Sequence, residues 1–286
     1  MSEMRTRFLS KLTNGEVEDY LQRNDLIYIP VGVTETHGAL PLDAETVLAE
    51  AIALKMAEES GGLVLHNLPY FFPGGTIVAR GTIQMSIKDG MAYLDKIAKS
   101  LLNQGFRRQV YVTSHGPAHM TVSGMVRDFF DETKVPILYM DVLKAAEAAD
   151  FNLMDNFHDM SIGAYRVLGR LEDVPLNVPE SHSVTYDIGH MLKGMDKNPG
   201  NVLGKYAYQS GAIGSYFYAP SDHMATPLLK TPEERDEYAN RGVRAIDDFV
   251  KALDMPAIVE TLRQVDEYTR DTILPKYGAN LASGKY

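Results

Sequence analysis

Leu26-Ile-Tyr-Ile-Pro-Val-Gly-Val-Thr-Glu-Thr-His-Gly38 opens on an apolar run and closes on a carboxylate and an imidazole. Residues 26–33 have the length and character of a buried strand. Pro30 counts against a central position in a sheet, because proline has no N–H to donate. A helix is expected next, with Asp43 as N-cap, helix-like apolar spacing over 46–56 and Gly61-Gly62 as its stop. Residues 63–66 read as a second strand, and 68–82 as a long loop rich in glycine and aromatics. Residues 88–104 form an amphipathic helix that ends at Gly105. A third strand is expected at 109–113, a helix at 120–133 and a fourth strand at 135–140. Strands alternating with helices of this length build a parallel sheet in an α/β fold. Beyond Asp141, helices are expected over 157–171, 231–253 and 256–274, with irregular chain over 172–230. No repeat, low-complexity tract or obvious linker appears. The simplest organisation is a single domain, 1–286, with an elaborated C-terminal part from about residue 150.

The whole chain has 286 residues, 45% of them hydrophobic and 23% charged, as in ordinary soluble proteins. It has no cysteine, which removes disulfides, thiol catalysis, Fe–S clusters and every cysteine-based zinc site. A transition metal would have to be held by His, Asp and Glu. The net charge of −10 argues against a nucleic-acid partner, since no large basic surface can displace counterions from a phosphate backbone. The N-terminus lacks the apolar run of a signal peptide, and no stretch has the ~20 apolar residues of a membrane span. No membrane partner is expected, and the expected address is cytoplasmic.

Ligands of open α/β sheets bind at the carboxyl ends of the strands, so the residues just after each strand carry the chemistry. After the first strand come Glu35 and His37, two apart and therefore on one face of extended chain. After the third comes Thr113-Ser-His115-Gly116-Pro-Ala-His119. Two strands thus deliver a His-Gly pair to the same edge. Glu45 falls in the first turn of the following helix, where it can fold back over the strand end. It also suits the helix dipole without any ligand role. Glu35, His37, Glu45 and His115 together make a site suited to Zn2+ or Mn2+.

Pro30-Val-Gly-Val-Thr-Glu35-Thr-His37-Gly-Ala-Leu-Pro41-Leu resembles the signature of the creatininase (creatinine amidohydrolase) family, P-x-G-[ST]-x-E-x-H-G followed by L-P-L-x-x-D. Thr113-Ser-His115-Gly116 sits where that family has N-G-H-G-G-N. Arg80-Gly-Thr-Ile83, Gly105-Phe-Arg-Arg108 and Gly211-Ala-Ile-Gly214 resemble further family segments. His182-Ser-Val-Thr-Tyr-Asp187-Ile-Gly-His190 resembles a degraded H-A-G-E-x-E-T-S. The similarity runs in order over roughly residues 25–250.

The resemblance implies a three-layer α/β sandwich with a mostly parallel central sheet, a small-molecule substrate, and one or two Zn2+ or Mn2+ ions per chain. It also implies a homo-oligomer, a hexamer in creatininase itself. It makes Glu35, His37 and His115 metal ligands and puts Glu45 in place of the aspartate that bridges two metals. Asp43 is a rival for that role. The chain departs from the pattern in further respects, among them the loss of the family's asparagines to Thr113 and Ala118. One residue is missing between His37 and Leu40. Pro117 stands where creatininase has a glutamate that completes the second metal site, with His119 two residues further on as a substitute. There is no tryptophan, which argues against creatinine as substrate.

The proton shuttle is expected among His182, Asp187 and His190, although Asp187 and His190 also suit a structural ion pair on a helix. Tyr70, Phe72, Arg80 and His119 are candidate substrate contacts. Tyr216, Phe217, Tyr218 and His223 form a second aromatic loop, with packing as the alternative role for both groups. The expected function is a metal-dependent hydrolase that opens a small cyclic polar substrate. One version cleaves a C–C bond in a cyclic polyol ketone, as 3-dehydro-scyllo-inosose hydrolases of the family do. The other cleaves a C–N bond in a cyclic amide or formamide. A non-catalytic sugar- or metal-binding member is the alternative from another class. A nucleotide-binding or redox protein is disfavoured, because no G-x-G-x-x-G follows a strand and no P-loop is present. Residues 256–286 have no family counterpart and are expected to cap the site or an interface.

Overall fold

The computed structural model describes residues 4–179, 203, 206, 214–217, 223 and 226–281. Strands β1 (Leu26–Pro30), β2 (Leu63–Val64), β3 (Arg108–Thr113) and β4 (Ile137–Asp141) join in the order β2-β1-β3-β4, every pair parallel. Ile27 aligns with Leu63 on one side and Gln109 on the other, and Gln109 with Ile137. The strands are apolar throughout because both faces of the sheet are covered.

Successive residues of a strand point to opposite faces, and the core divides accordingly. Leu26, Tyr28, Val110 and Val112 join one apolar cluster with residues of α2 (Ala44–Ser60), α6 (Leu153–Val167), α7 (Pro232–Leu253) and α8 (Met255–Tyr268). Ile27, Ile29 and Tyr111 join the other with residues of α1 (Asn14–Leu21), α3 (Ile87–Asn103) and α4 (His119–Thr133). Helices, sheet and helices make the expected three layers. A short α5 (Val142–Ala148) leads from β4 to α6. Every residue of α2 from Ala44 to Ala53 is buried, because α2 contacts β1, β2 and β3 as well as α6, α7 and α8. A helix enclosed in this way has no polar face to show.

Pro30 does occupy a central strand, and the register explains why. The Val31 N–H donates to Val112 of β3, so the Pro30 nitrogen faces the β2 side. β2 has already ended there, at Val64, and no ladder bond is lost. The first strand therefore stops earlier than its apolar run, with Val31 making only an isolated bridge to Leu68. Further along, the helix expected over 157–171 begins at Leu153 and ends at Val167, just before Gly169 with φ of 71°. The helix expected over 256–274 ends at Tyr268 and passes into a π turn at Thr269–Ile273.

The connection from β1 to β2 runs through α2 on one face, and that from β2 to β3 through α3 on the other. The carboxyl ends of β1 and β3 are therefore a topological switch point, where the two chains diverge and leave a crevice. Arg107 lies at the opposite, amino edge and holds Asp266 of α8 at 2.6 and 2.7 Å, so that end of α8 is away from the crevice. No helix among the described residues is long and apolar enough to cross a membrane.

Candidate metal centre

The loop after β1 brings Glu35 into the crevice, where it is fully buried, with its N–H bonded to the Leu42 carbonyl at 3.0 Å. Glu45 comes from the first turn of α2. That turn can lie on the end of β1 because residue 32 is glycine. A Cβ there would sit 2.7 Å from Thr46 Cγ2 and 2.9 Å from Thr46 Cα. Ser114 Oγ donates to the Glu45 carbonyl at 3.2 Å and ties α2 to the loop after β3. Thr113 Oγ1 accepts the His115 N–H at 3.1 Å and sets the direction of that loop.

His115 Nδ1 lies 2.8 Å from Glu45 Oε2 and 3.4 Å from Glu35 Oε1. On the other side of Glu35, Oε1 lies 3.7 Å from His223 Nε2, and the His37 and His223 rings meet edge to face at 5.1 Å. Two sets of three ligand atoms result, each set within 4.8 Å: Glu35, Glu45 and His115 in one, Glu35, His37 and His223 in the other. Each imidazole has one nitrogen on a backbone carbonyl. His115 Nε2 donates to Phe72 at 2.9 Å, His37 Nδ1 to Glu35 at 3.1 Å and His223 Nδ1 to Thr36 at 2.7 Å. A carbonyl oxygen only accepts, so these bonds fix which nitrogen carries hydrogen. In the neutral rings the other nitrogen keeps its lone pair, the arrangement of metal-ligating histidines.

Charge balance in the site calls for a cation. Burial by itself would lower the His115 pKa, but the Glu45 and Glu35 carboxylates outweigh it and hold it well above the usual imidazole value. Burial would raise Glu35, yet His115 draws it down to about 2. His223 is pushed down by burial and stays neutral more readily. With the His115 ring neutral, Glu35 Oε1 and Glu45 Oε2 are buried and have no hydrogen-bond donor among the described residues; a protonated Nδ1, 2.8 Å from Glu45 Oε2, takes the place that a metal ion would otherwise fill. Unpaired buried carboxylate oxygens are costly. Two of them beside an imidazole lone pair fit a divalent ion with mixed O and N ligands.

A cavity of about 280 Å3 opens over these groups, lined by Glu35, Glu45 and His115 together with Thr76, Phe217 and His223. Pro117 also lines it and offers no ligand atom. The four residues expected to hold the metal all lie in this centre, with His37 in the set that contains His223. Asp43 does not. It precedes α2 but makes no capping bond, because Tyr165 Oη and Arg170 take its two oxygens at 2.8 Å each. Tyr70 is half exposed, Arg80 is exposed, and the His119 ring faces the Gly116 carbonyl at 2.9 Å at the start of α4. None of the three lines the cavity, and Phe72 serves through its carbonyl. His182, Asp187 and His190 lie outside the described residues.

Nothing in the sequence singles out Thr76, whose hydroxyl donates to Glu35 Oε2. It lies in Gly74-Gly75-Thr76 of the loop over 68–82, which the sequence marks only as rich in glycine and aromatics. His223 was grouped with an aromatic loop, and no local spacing ties it to His37.

A family model described as creatininase, creatinine amidohydrolase, matches residues 10–164. A 3-dehydro-scyllo-inosose hydrolase of Thermotoga maritima is 31% identical over 111 residues, 38% of this chain and 36% of that protein. The matched stretch is thus about a third of the relative's length. Among solved structures, creatinine amidohydrolase (creatininase) is 19% identical with a TM-score of 0.61, covering 86% of this chain and 96% of its own. A form described as creatininase Mn is 18% identical with a TM-score of 0.57, covering 85% and 97%. At those identities the likeness is one of fold.

Proposed function

The chain belongs to the creatininase (creatinine amidohydrolase) family, and from that premise we propose that it is a metal-dependent hydrolase whose catalytic Zn2+ or Mn2+ is held by Glu35, Glu45 and His115. The observation that carries this reading is the pair of donorless buried oxygens, Glu35 Oε1 and Glu45 Oε2, converging on His115 Nδ1. An ion held by these three residues would supply Lewis-acid chemistry to a water and a substrate carbonyl.

The chain's own groups do the rest. Thr76 orients the Glu35 carboxylate, and the Phe72 carbonyl holds the His115 ring with its lone pair inward. The cavity admits a small molecule, with Phe217 and Pro117 as apolar walls beside the charged ligands. His182, Asp187 and His190 are the candidate carriers of the proton that the leaving group needs. The substrate class is a cyclic polyol ketone, opened by hydrolysis of a C–C bond next to the carbonyl. The Thermotoga maritima relative supports this choice, as does the absence of tryptophan from the chain. A cyclic amide or formamide is the second reading, favoured by the amidohydrolase description of the matching family. Assembly into a homo-oligomer is part of the same proposal.

The test is a substrate panel on metal-loaded full chain: inosose ketones, lactams and formamides, followed by mass spectrometry. The expected result is a ring-opened acid, heavier by one water, from an inosose ketone. Chelation or Glu45→Gln abolishes it. Turnover of only the amides selects the second reading. No bound metal and no turnover of any class overturns the hydrolase and leaves a non-catalytic member of the family.

A further inference from the structure

The two carboxylates of the proposed site are oriented differently. Glu35 has the Thr76 hydroxyl on one oxygen. Among the described residues, Glu45 Oε2 has only the His115 ring beside it, so the place of that carboxylate follows from the place of the α2 turn that carries it. We propose that Tyr165 and Arg170 are positioning residues for this centre: through Asp43 they fix the first turn of α2 and with it the Glu45 carboxylate. The inference rests on the reading of Glu45 as a metal ligand and extends it to side chains that do not line the cavity.

Asp43 stands two residues before Glu45, at the N-cap position of α2, and its side chain makes no capping bond. It turns instead to α6 and the chain that follows. Tyr165 Oη donates to Asp43 Oδ1 and Arg170 Nη2 to Oδ2, each at 2.8 Å. Tyr165 is fully buried near the end of α6. Burial, and then the Asp43 carboxylate, raise its pKa, so the phenol keeps its proton and donates. Arg170 follows Gly169, whose φ of 71° turns the chain back, and the Arg170 N–H donates to the Tyr165 carbonyl at 2.6 Å. The guanidinium lies over the Tyr165 ring, 5.5 Å from its centroid, and Nε donates to Asp173 at 2.7 Å. The two donors are thus held relative to each other as they meet Asp43.

Asp43 passes that constraint to the turn. Its carbonyl accepts the Thr46 hydroxyl at 2.8 Å and the Val47 N–H at 2.9 Å, which closes the segment containing Glu45 into one turn. On the other flank Ser114 Oγ donates to the Glu45 carbonyl at 3.2 Å. The turn is therefore tied to α6 through Asp43 and to the loop after β3 through Ser114, with Glu45 between the two ties. An N-cap side chain usually accepts an N–H of its own helix. Here that carboxylate is given to another helix, so it fixes where α2 begins. Carboxylate oxygens bind Zn2+ at about 2.0–2.2 Å, so a shift of the turn by a fraction of an ångström is felt at the ion.

The experiment reads metal affinity and ligand geometry. Full chain is stripped with chelator. Zn2+ affinity is then measured by competition with a chromophoric chelator, and Co2+ is loaded for its visible absorption spectrum. Tyr165→Phe deletes one hydroxyl and Arg170→Gln one charge. Each is expected to weaken Zn2+ binding on the order of 10-fold and to shift the Co2+ bands. Arg170→Lys, which keeps a cationic donor, is expected to recover part of the loss. Leu94→Val, in the core on the other face of the sheet, is expected to lower the melting temperature and leave both readouts as in wild type. Should Tyr165→Phe fail to fold, Arg170→Gln decides, since that side chain is partly exposed. Wild-type affinity and an unchanged spectrum in both variants overturn the clamp and leave Glu45 standing as a ligand. Losses of the same size in Leu94→Val trace the effect to general loosening and overturn the clamp as well. A wild type that binds neither ion overturns the metal reading and the clamp with it.

Discussion

Glu35 Oε2 accepts the Thr76 hydroxyl hydrogen, and that bond leaves Oε1 as the oxygen that faces His115 and His223. A residue outside the proposed ligand set thus decides which oxygen of Glu35 is available. Partners of this kind orient metal ligands, and their loss lowers metal affinity by about 10–100-fold. Thr76→Val is expected to weaken Zn2+ binding by that factor, and Thr76→Ser to stay close to wild type. Competition with a chromophoric chelator measures both. Equal affinity in Thr76→Val and wild type would remove Thr76 from the site.

Gly32 lets the first turn of α2 rest on the end of β1, where a Cβ would lie 2.7 Å from Thr46 Cγ2. Thr46 follows Glu45 directly, so any displacement moves a proposed ligand. Gly32→Ala is expected to cost about 1–3 kcal/mol, the usual range for overpacking. It should also loosen metal binding. Urea unfolding with and without Zn2+ separates the two effects. A stable variant with unchanged affinity would mean that the turn has room.

Gly163 of α6 and Gly242 of α7 meet backbone to backbone. A Cβ on Gly242 would sit 1.8 Å from the Asp159 carbonyl oxygen, where nothing flexible can give way. Gly242→Ala is therefore expected to exceed Gly32→Ala in cost, at about 3 kcal/mol or more. Thermal melting of the two variants side by side checks the order. A smaller loss in Gly242→Ala would show that the helices can slide apart cheaply.

The α1 N-terminus carries a capping box in which Thr13 and Glu16 bond reciprocally, and Arg5 lies 3.0 Å from Glu16. The Arg5 hydrogen bond, with the Thr13 backbone N–H and hydroxyl, brings the Glu16 pKa from 4.5 down to about 2. A carboxylate depressed in the folded state contributes stability above its unfolded pKa and loses it as pH falls through the folded one. The gap between wild type and Glu16→Gln is expected to be full near pH 7 and to close between pH 4.5 and about 2. The pair is exposed, so the gap is small and shrinks with salt. Urea midpoints at several pH values measure it. A gap that persists unchanged at the acid end would assign it to something other than ionisation.

Much of the fold was legible because its signals are local. The four strands, the helices between them and the delivery of Glu35, His37 and His115 to one edge follow from apolar runs, turn residues and the rule that parallel strands end together. Glu45 in the first turn of α2 was legible for the same reason. Errors gathered where a distant partner intervened. Asp43 does occupy the N-cap position of α2, but Tyr165 and Arg170 take its side-chain oxygens, so it makes no capping bond. The helix over Ala44–Ser60 with its stop at Gly61 was legible from apolar spacing, whereas the burial of Ala44–Ala53 on all sides depends on three other helices.

From sequence alone came the fold class, the absence of any cysteine ligand, and a candidate ligand set on two adjacent loops and the first turn of α2. These are properties of neighbouring residues and of composition, which a linear string carries in full. Only the tertiary structure decided that the candidate groups gather around Glu35, with Thr76 holding one of its oxygens and His115 and His223 facing the other. Those pairings join residues remote in the chain. No spacing rule encodes them, and they exist only once the sheet and its loops bring the segments together.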